Sequence, residues 1–225
     1  MAFFEGNMAK DSEIVEQTTA YVRRELEGES SGHDWWHIHR VVNNALAIAR
    51  AEKADETIVC LAALLHDIAD YKMHDGDCDI GPKVARAWLE KQGMDEERIG
   101  HVCKIIKDLS FKGAGTESPM DTFEGKIVQD ADRLDAIGAV GIARVFAFGG
   151  NKGREIYNPE NQPTAHKSFE EYKNAKSSSI NHFHEKLLLL KDRMNTETAK
   201  KMAEERHVFM LAFLDRFHEE WEGKA

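Results

Sequence analysis

Apolar positions along this chain recur every three to four residues, with charged residues between them. That spacing is the mark of amphipathic helices. It predicts helices at about 11–27, 35–53, 56–70, 79–92, 95–108, 124–137, 138–148, 168–191 and 196–221. Residues suited to helix starts precede several of them: Asp11 and Ser12, Asp34, Asp95, and Thr196 with Glu197. No stretch alternates apolar and polar residues over a strand's length, so an all-α fold is expected. Two segments read as loops, KGAGTESPMDT at 112–122 and GGNKGREIYNPENQPTAH at 149–166. Neither resembles a domain linker, since core-like helical faces flank both. One domain over 1–225 is expected, with 168–221 as a C-terminal helical extension or lobe.

Composition narrows the class. The longest apolar run, Ile58 to Leu65, has eight residues, against about 20 for a membrane span. The first residues, MAFFEGNMAKDSE, lack the basic and apolar regions of a secretory signal. A cytoplasmic protein with no membrane partner is the expectation. A net charge of −10 argues against a nucleic-acid polymer as partner. It still allows a small anionic substrate, because a metal and a few cations set the local field. Three cysteines, Cys60, Cys78 and Cys103, without a CxxC pair, do not suggest a disulfide framework.

Chemistry concentrates where polar groups interrupt apolar faces. His37 lines up with Val41, Asn44 or Ala45, and Ile48 on an apolar stripe, whereas His39 lies about 200° around the axis. The Ile58–Leu65 run is apolar all round and leads directly into His66 and Asp67. A carboxylate leaving such a run has to be paired or bind a metal. Asp132 sits beside an apolar face of Ile127, Ala131 and Leu134. Two histidines and two aspartates form a mixed nitrogen and oxygen set that suits one divalent ion, Mn, Mg, Co, Ni, Fe or Zn. Such an ion would activate water against a phosphoryl group. There is no GxxxxGK[ST] loop, GxGxxG turn or GxSxG elbow, so phosphates would be held by metal and side chains.

HxxR at 37–40, the HD doublet at 66–67 and Asp132 resemble the H…HD…D signature of HD-domain phosphohydrolases. HDWWHIHRV, LAALLHDIADYK and EGKIVQDADRLDAIGAVGIARVF, with the C-terminal NHFHEKLLLLKDRMNTETAKKMAEERH, are similar to a bacterial subgroup of small HD hydrolases. The resemblance implies an all-α HD helical bundle with an added C-terminal helical pair. It implies His37, His66, Asp67 and Asp132 as metal ligands. It also implies cleavage of nucleoside triphosphates, particularly deoxynucleotides, to monophosphate and pyrophosphate. Many HD proteins carry Glu where this chain has Asp70. Asp67, Asp70 and Lys72 are the catalytic candidates; His33, Arg40, Lys112, Lys186 and Arg206 are the candidates for substrate contact.

Plainer roles compete for several of these residues. Asp34 reads as an N-cap and Arg40 as an ion-pair partner orienting Asp67 or Asp132. Trp35 and Trp36 read as core, and His182 and His184 as solvent-facing or loop-adjacent. His101 is the one local addition for a second ion. Alternative functions are a phosphomonoesterase on nucleoside monophosphates or small phosphate esters, and a non-catalytic metal-stabilised nucleotide-binding module. The single ExxH at Glu204–His207 sets aside a di-iron carboxylate protein, which needs a second copy. The helices from Phe169 onward offer a homodimer face.

Overall fold

The computed structural model describes residues 2–28, 34–69, 79–110, 120–164 and 177–224. Within them the regular structure is helical: α1 (Ala2–Glu25), α2 (Trp35–Glu52), α3 (Glu56–Leu65), α4 (Ile80–Lys91), α5 (Glu96–Ser110), α6 (Phe123–Asp135), α7 (Gly138–Asn151), α8 (Ser179–Glu185) and α9 (Glu197–Trp221). Two short 3₁₀ turns, Leu187–Leu189 and Lys191–Arg193, lie between α8 and α9. The fold is all-α, as the periodicity predicts. Among the described residues no helix is long and apolar enough to cross a membrane.

Two compact units divide the chain. The first holds α1 to α5 and α6 as far as Ala131; the second begins at Asp132, inside the same continuous α6. In the first unit α3 is the centre, packing on α1, α2 and α5, while α4 packs on α5. Every residue from Ile58 to Leu65 is buried, as expected of a helix apolar on all sides. Asp55 caps this helix by accepting hydrogen bonds from the Thr57 and Ile58 amides at 2.9 and 3.0 Å. α2 buries the stripe Ile38, Val41, Ala45 and Ile48 and carries His37 on the same face.

In the second unit α7 packs on α8 and α9. Phe146, Phe183 and Phe213 form its aromatic centre, with ring centroids 5.9–6.2 Å apart. Thr196 caps α9 through the Ala199 amide.

Three expected boundaries differ. α1 does not start at Asp11 but runs through it from Ala2. Asp11 instead takes two hydrogen bonds from Arg98, at 2.8 and 3.0 Å, which tie α1 to α5. α3 stops at Leu65, not 70; His66 is its C-cap and the Ile68 amide bonds to the Leu65 carbonyl. The predicted helix 168–191 is described only from Ser177 onward, where α8 is short and closes at Glu185. The leucine run after it cannot sit on one α-helical face. It follows three-residue spacing instead, with Leu187 and Leu190 buried and Leu189 exposed.

Candidate metal centre

His37 reaches its place through the start of α2. Asp34 is the N-cap, and its carboxylate accepts a hydrogen bond from the His37 amide at 2.9 Å. The first turn is thereby fixed at the residue that bears the imidazole. His37 is 2% exposed.

His66 and Asp67 follow α3 directly, and His66, its C-cap, keeps helical dihedrals of φ −62° and ψ −31°. On a continuing helix adjacent side chains diverge by about 100°. The two side chains nevertheless meet, with His66 Nε2 3.3 Å from Asp67 Oδ2. His66 Nδ1 lies 2.8 Å from the Ala63 carbonyl. Donation to that oxygen sets the tautomer and leaves Nε2 as the ligating nitrogen. His66 also stands at the negative end of α3, where the aligned carbonyls favour a cation.

The parts converge. One ligand atom from each of His37, His66 and Asp132 lies within 4.8 Å of the others. The two imidazole rings stand 5.4 Å apart at 65°. Asp67 Oδ2 lies 3.4 Å from His37 Nε2 and 3.3 Å from His66 Nε2. Both imidazoles thus turn the same nitrogen towards one carboxylate oxygen. Two nitrogens and carboxylate oxygens, mostly buried, fit a divalent ion of the first transition row, zinc or magnesium. Asp132 is half-buried on α6.

Asp70, Lys72, His33 and Lys112 lie outside the described residues. Arg40 is half-buried one turn from His37. Lys186 is exposed at the end of α8. Arg206, expected to meet substrate phosphates, is half-buried and donates to the Leu134 carbonyl at the end of α6. Its burial lowers its pKa, against the opposing pull of Asp135. His101 Nε2 lies 3.5 Å from Glu124 Oε2, and among the described residues His101 joins no group of three metal-ligating side chains.

Two further expectations change. Trp36 is 57% exposed, so it is not a core residue. His182 is not solvent-facing: burial, with Lys186 and Arg154 nearby, drives its pKa down to about 3. Asp130, two residues before Asp132, is fully buried, a position that sequence reasoning passed over. The DxD spacing was the available signal. Cys60 and Cys103 are free and buried. Burial, with Glu56 next in effect, pushes the Cys60 thiol up to about 11.

Comparison with known proteins decides the family. The HD domain model matches residues 35–137. The uncharacterized protein YpgQ of Bacillus subtilis is 43% identical over 218 residues, covering 95% of this chain and 97% of its own. The chain belongs to the HD superfamily. A crystal structure of an HD-superfamily hydrolase from Bacillus thuringiensis is 43% identical and superimposes with a TM-score of 0.76, over 94% of the HD chain and 98% of its own. A crystal structure of Bacillus subtilis YpgQ in complex with ADP superimposes with the same TM-score, 0.76. It is 38% identical by superposition, over 94% of the HD chain and 96% of its own. The HD chain is accordingly a hydrolase of this superfamily, and its histidine and aspartate cluster occupies the segment that the domain model matches.

Proposed function

We propose that this HD hydrolase is a metal-dependent phosphohydrolase that cleaves (deoxy)nucleoside triphosphates to monophosphate and pyrophosphate. The observation that carries the proposal is the convergence of His37, His66 and Asp132 ligand atoms within 4.8 Å, with Asp67 facing both imidazoles. The ADP bound to YpgQ supports a nucleotide as ligand, and the resemblance of the flanking segments supports the triphosphate.

His37, His66, Asp67 and Asp132 would hold one divalent ion. Bound there, it supplies Lewis acidity to a phosphoryl oxygen and acidifies water. The chain's own groups do the rest. Asp34 and the Ala63 carbonyl keep the two imidazoles aimed at a common point. A carboxylate, Asp67 or Asp70, takes the proton of the attacking water. Cationic side chains offset charge on the phosphoryl oxygens. Lys72 and Lys186 are proposed for that role, with His33, Arg40 and Lys112 as further contacts. Arg206, engaged with the Leu134 carbonyl, is proposed to position α6.

The test is Asp67→Ala, assayed on nucleoside triphosphates with Mn²⁺, Co²⁺ and Mg²⁺ alongside measured metal content. Turnover is expected to fall at least ~100-fold with reduced metal retention. Unchanged turnover and metal content would overturn the assignment. The wild-type product decides the substrate class. Pyrophosphate supports the proposal, orthophosphate supports a phosphomonoesterase, and tight ADP binding without turnover under any metal supports a binding module.

A further inference from the structure

A hollow of about 820 Å³ opens between α1 and the start of α2, both in the first unit. That is the size of a pocket for a small organic molecule. None of His37, His66, Asp67 and Asp132 lines it. On the α1 side Glu16, Thr19, Ala20, Arg23 and Glu27 follow helical spacing and present one face. Thr19 and Ala20, at the middle of that face, are too small to fill the space. On the α2 side stand Trp35 and Trp36. Trp36 is 57% exposed, and His39 packs across it at 87° with ring centroids 5.9 Å apart. A large flat ring is thus braced on one side and left open to water in the wall of a hollow, where covering it gains most.

The charges around the hollow select what covers it. Arg24 is paired with Glu25 at 3.4 Å. Arg23 has no carboxylate partner among the described residues; its guanidinium lies over Trp35, 5.9 Å from the ring centroid. A guanidinium beside indole rings suits a planar ring that bears an anion. The ring stacks on the indole, and the oxyanion takes the fork of arginine donors. Glu16 and Glu27, exposed on the same wall, repel a plain anion and call for N–H donors on the ligand. A nucleotide carries all three features: a flat base, N–H groups on its edge, and a phosphate. Inorganic phosphate lacks the first two, and an uncharged nucleoside lacks the third.

One residue joins this hollow to the metal centre. Asp34 lines it and also accepts the hydrogen bond from the His37 amide, at 2.9 Å, that fixes the first turn of α2. A ligand packed on Trp35 and Trp36 orders that same turn and with it the aim of His37. Coupling of this kind is reciprocal, each ligand raising the other's affinity by the same factor. We propose that the hollow between α1 and α2 is a regulatory site for a mononucleotide, with the base on Trp36 and the phosphate on Arg23, and that its occupancy tightens metal binding at His37. The regulation rests on the reading of His37 as a metal ligand; the pocket does not.

The probe is AMP, titrated into the full chain in EDTA and followed by tryptophan fluorescence and calorimetry, with circular dichroism as a check on folding. Binding at one site is expected. Arg23→Gln removes the phosphate partner and Ala20→Phe fills the hollow; each is expected to weaken binding at least ~10-fold. Arg23 is exposed, so its variant decides even where Ala20→Phe does not fold. Asp67→Ala is expected to bind AMP as the wild type does. No binding by the wild type, undiminished binding by either folded pocket variant, or loss of binding in Asp67→Ala would each overturn the site. Inorganic phosphate binding as tightly as AMP would overturn the nucleotide as its ligand. Saturating AMP is then expected to raise Mn²⁺ affinity at least ~5-fold in the wild type and not in Arg23→Gln. An equal rise in both chains puts the AMP at the metal and overturns the regulation, as does no rise in either. A chain that binds AMP in EDTA, yet neither retains Mn²⁺ nor turns over triphosphates, supports the pocket and overturns the proposed function.

Discussion

At His182 burial outweighs chemistry. Its ring is largely enclosed, and Lys186 and Arg154 add positive field, so its pKa falls from 6.5 to about 3. The folded chain therefore keeps His182 neutral over a range in which the unfolded chain protonates it. The contribution is fully present above pH 6.5 and is lost progressively as pH falls towards about 3. Between the ordinary histidine value and about pH 4.5 the loss is on the order of 2 kcal/mol, at ~1.4 kcal/mol per unit. Urea denaturation of the wild type and of His182→Gln across this range measures it. The stability difference between the two chains should shift steadily against the wild type as the medium is acidified. A pH-independent difference would show that His182 titrates normally. None of this is legible in the motif NHFHEKL, because exposure there depends on where α8 stops. The clustering of His37, His66 and Asp67 is legible for the opposite reason. A histidine and then a carboxylate directly after eight buried apolar residues have few permitted environments.

At the scale of elements, the informative joint lies between α6 and α7. Gly138 has φ +77°, and a Cβ there would stand 2.9 Å from the Arg206 side chain. Arg206 reaches past this glycine to the Leu134 carbonyl, while Asp135, buried one residue on, is held by Arg144 at 2.7 Å. These contacts close the end of the helix that carries Asp132. Gly138→Ala imposes both a left-handed backbone on alanine and a collision. A loss of about 1–3 kcal/mol is expected, measured by thermal or urea unfolding. Arg206→Met keeps most of the side chain's bulk but leaves the carbonyl without that donor, with an expected cost of about 1–3 kcal/mol. Isothermal titration with Mn²⁺ separates this role from substrate contact. Loss of a positioning arginine lowers metal affinity in the absence of nucleotide; loss of a phosphate-binding one does not.

Periodicity placed α2, α5, α6 and α9 well, because each carries one clear apolar stripe. It ran α3 past Leu65 because His66, Asp67 and Ile68 carry no helix-breaking residue. In the structure the Ile68 amide turns to the Leu65 carbonyl at 3.2 Å. It missed the first nine residues of α1 for a related reason: Asp11 and Ser12 look like a cap, yet Asp11 is taken by Arg98, 87 residues away in sequence.

For the molecule as a whole, the segment that the HD model matches ends at residue 137, whereas the arginine that closes α6 comes from residue 206. The matched segment and the contacts at the end of α6 therefore have different borders. A chain cut after Ile137 keeps His37, His66, Asp67 and Asp132. It is nevertheless expected to bind Mn²⁺ at least ~10-fold more weakly, because supporting contacts outside the ligands govern affinity at this scale. Calorimetry and far-ultraviolet circular dichroism check it together. For anyone transplanting this activity, the portable unit is not the recognisable motif. Grafted onto another scaffold without its distant cap, the signature would carry the ligands and leave behind part of what holds them still.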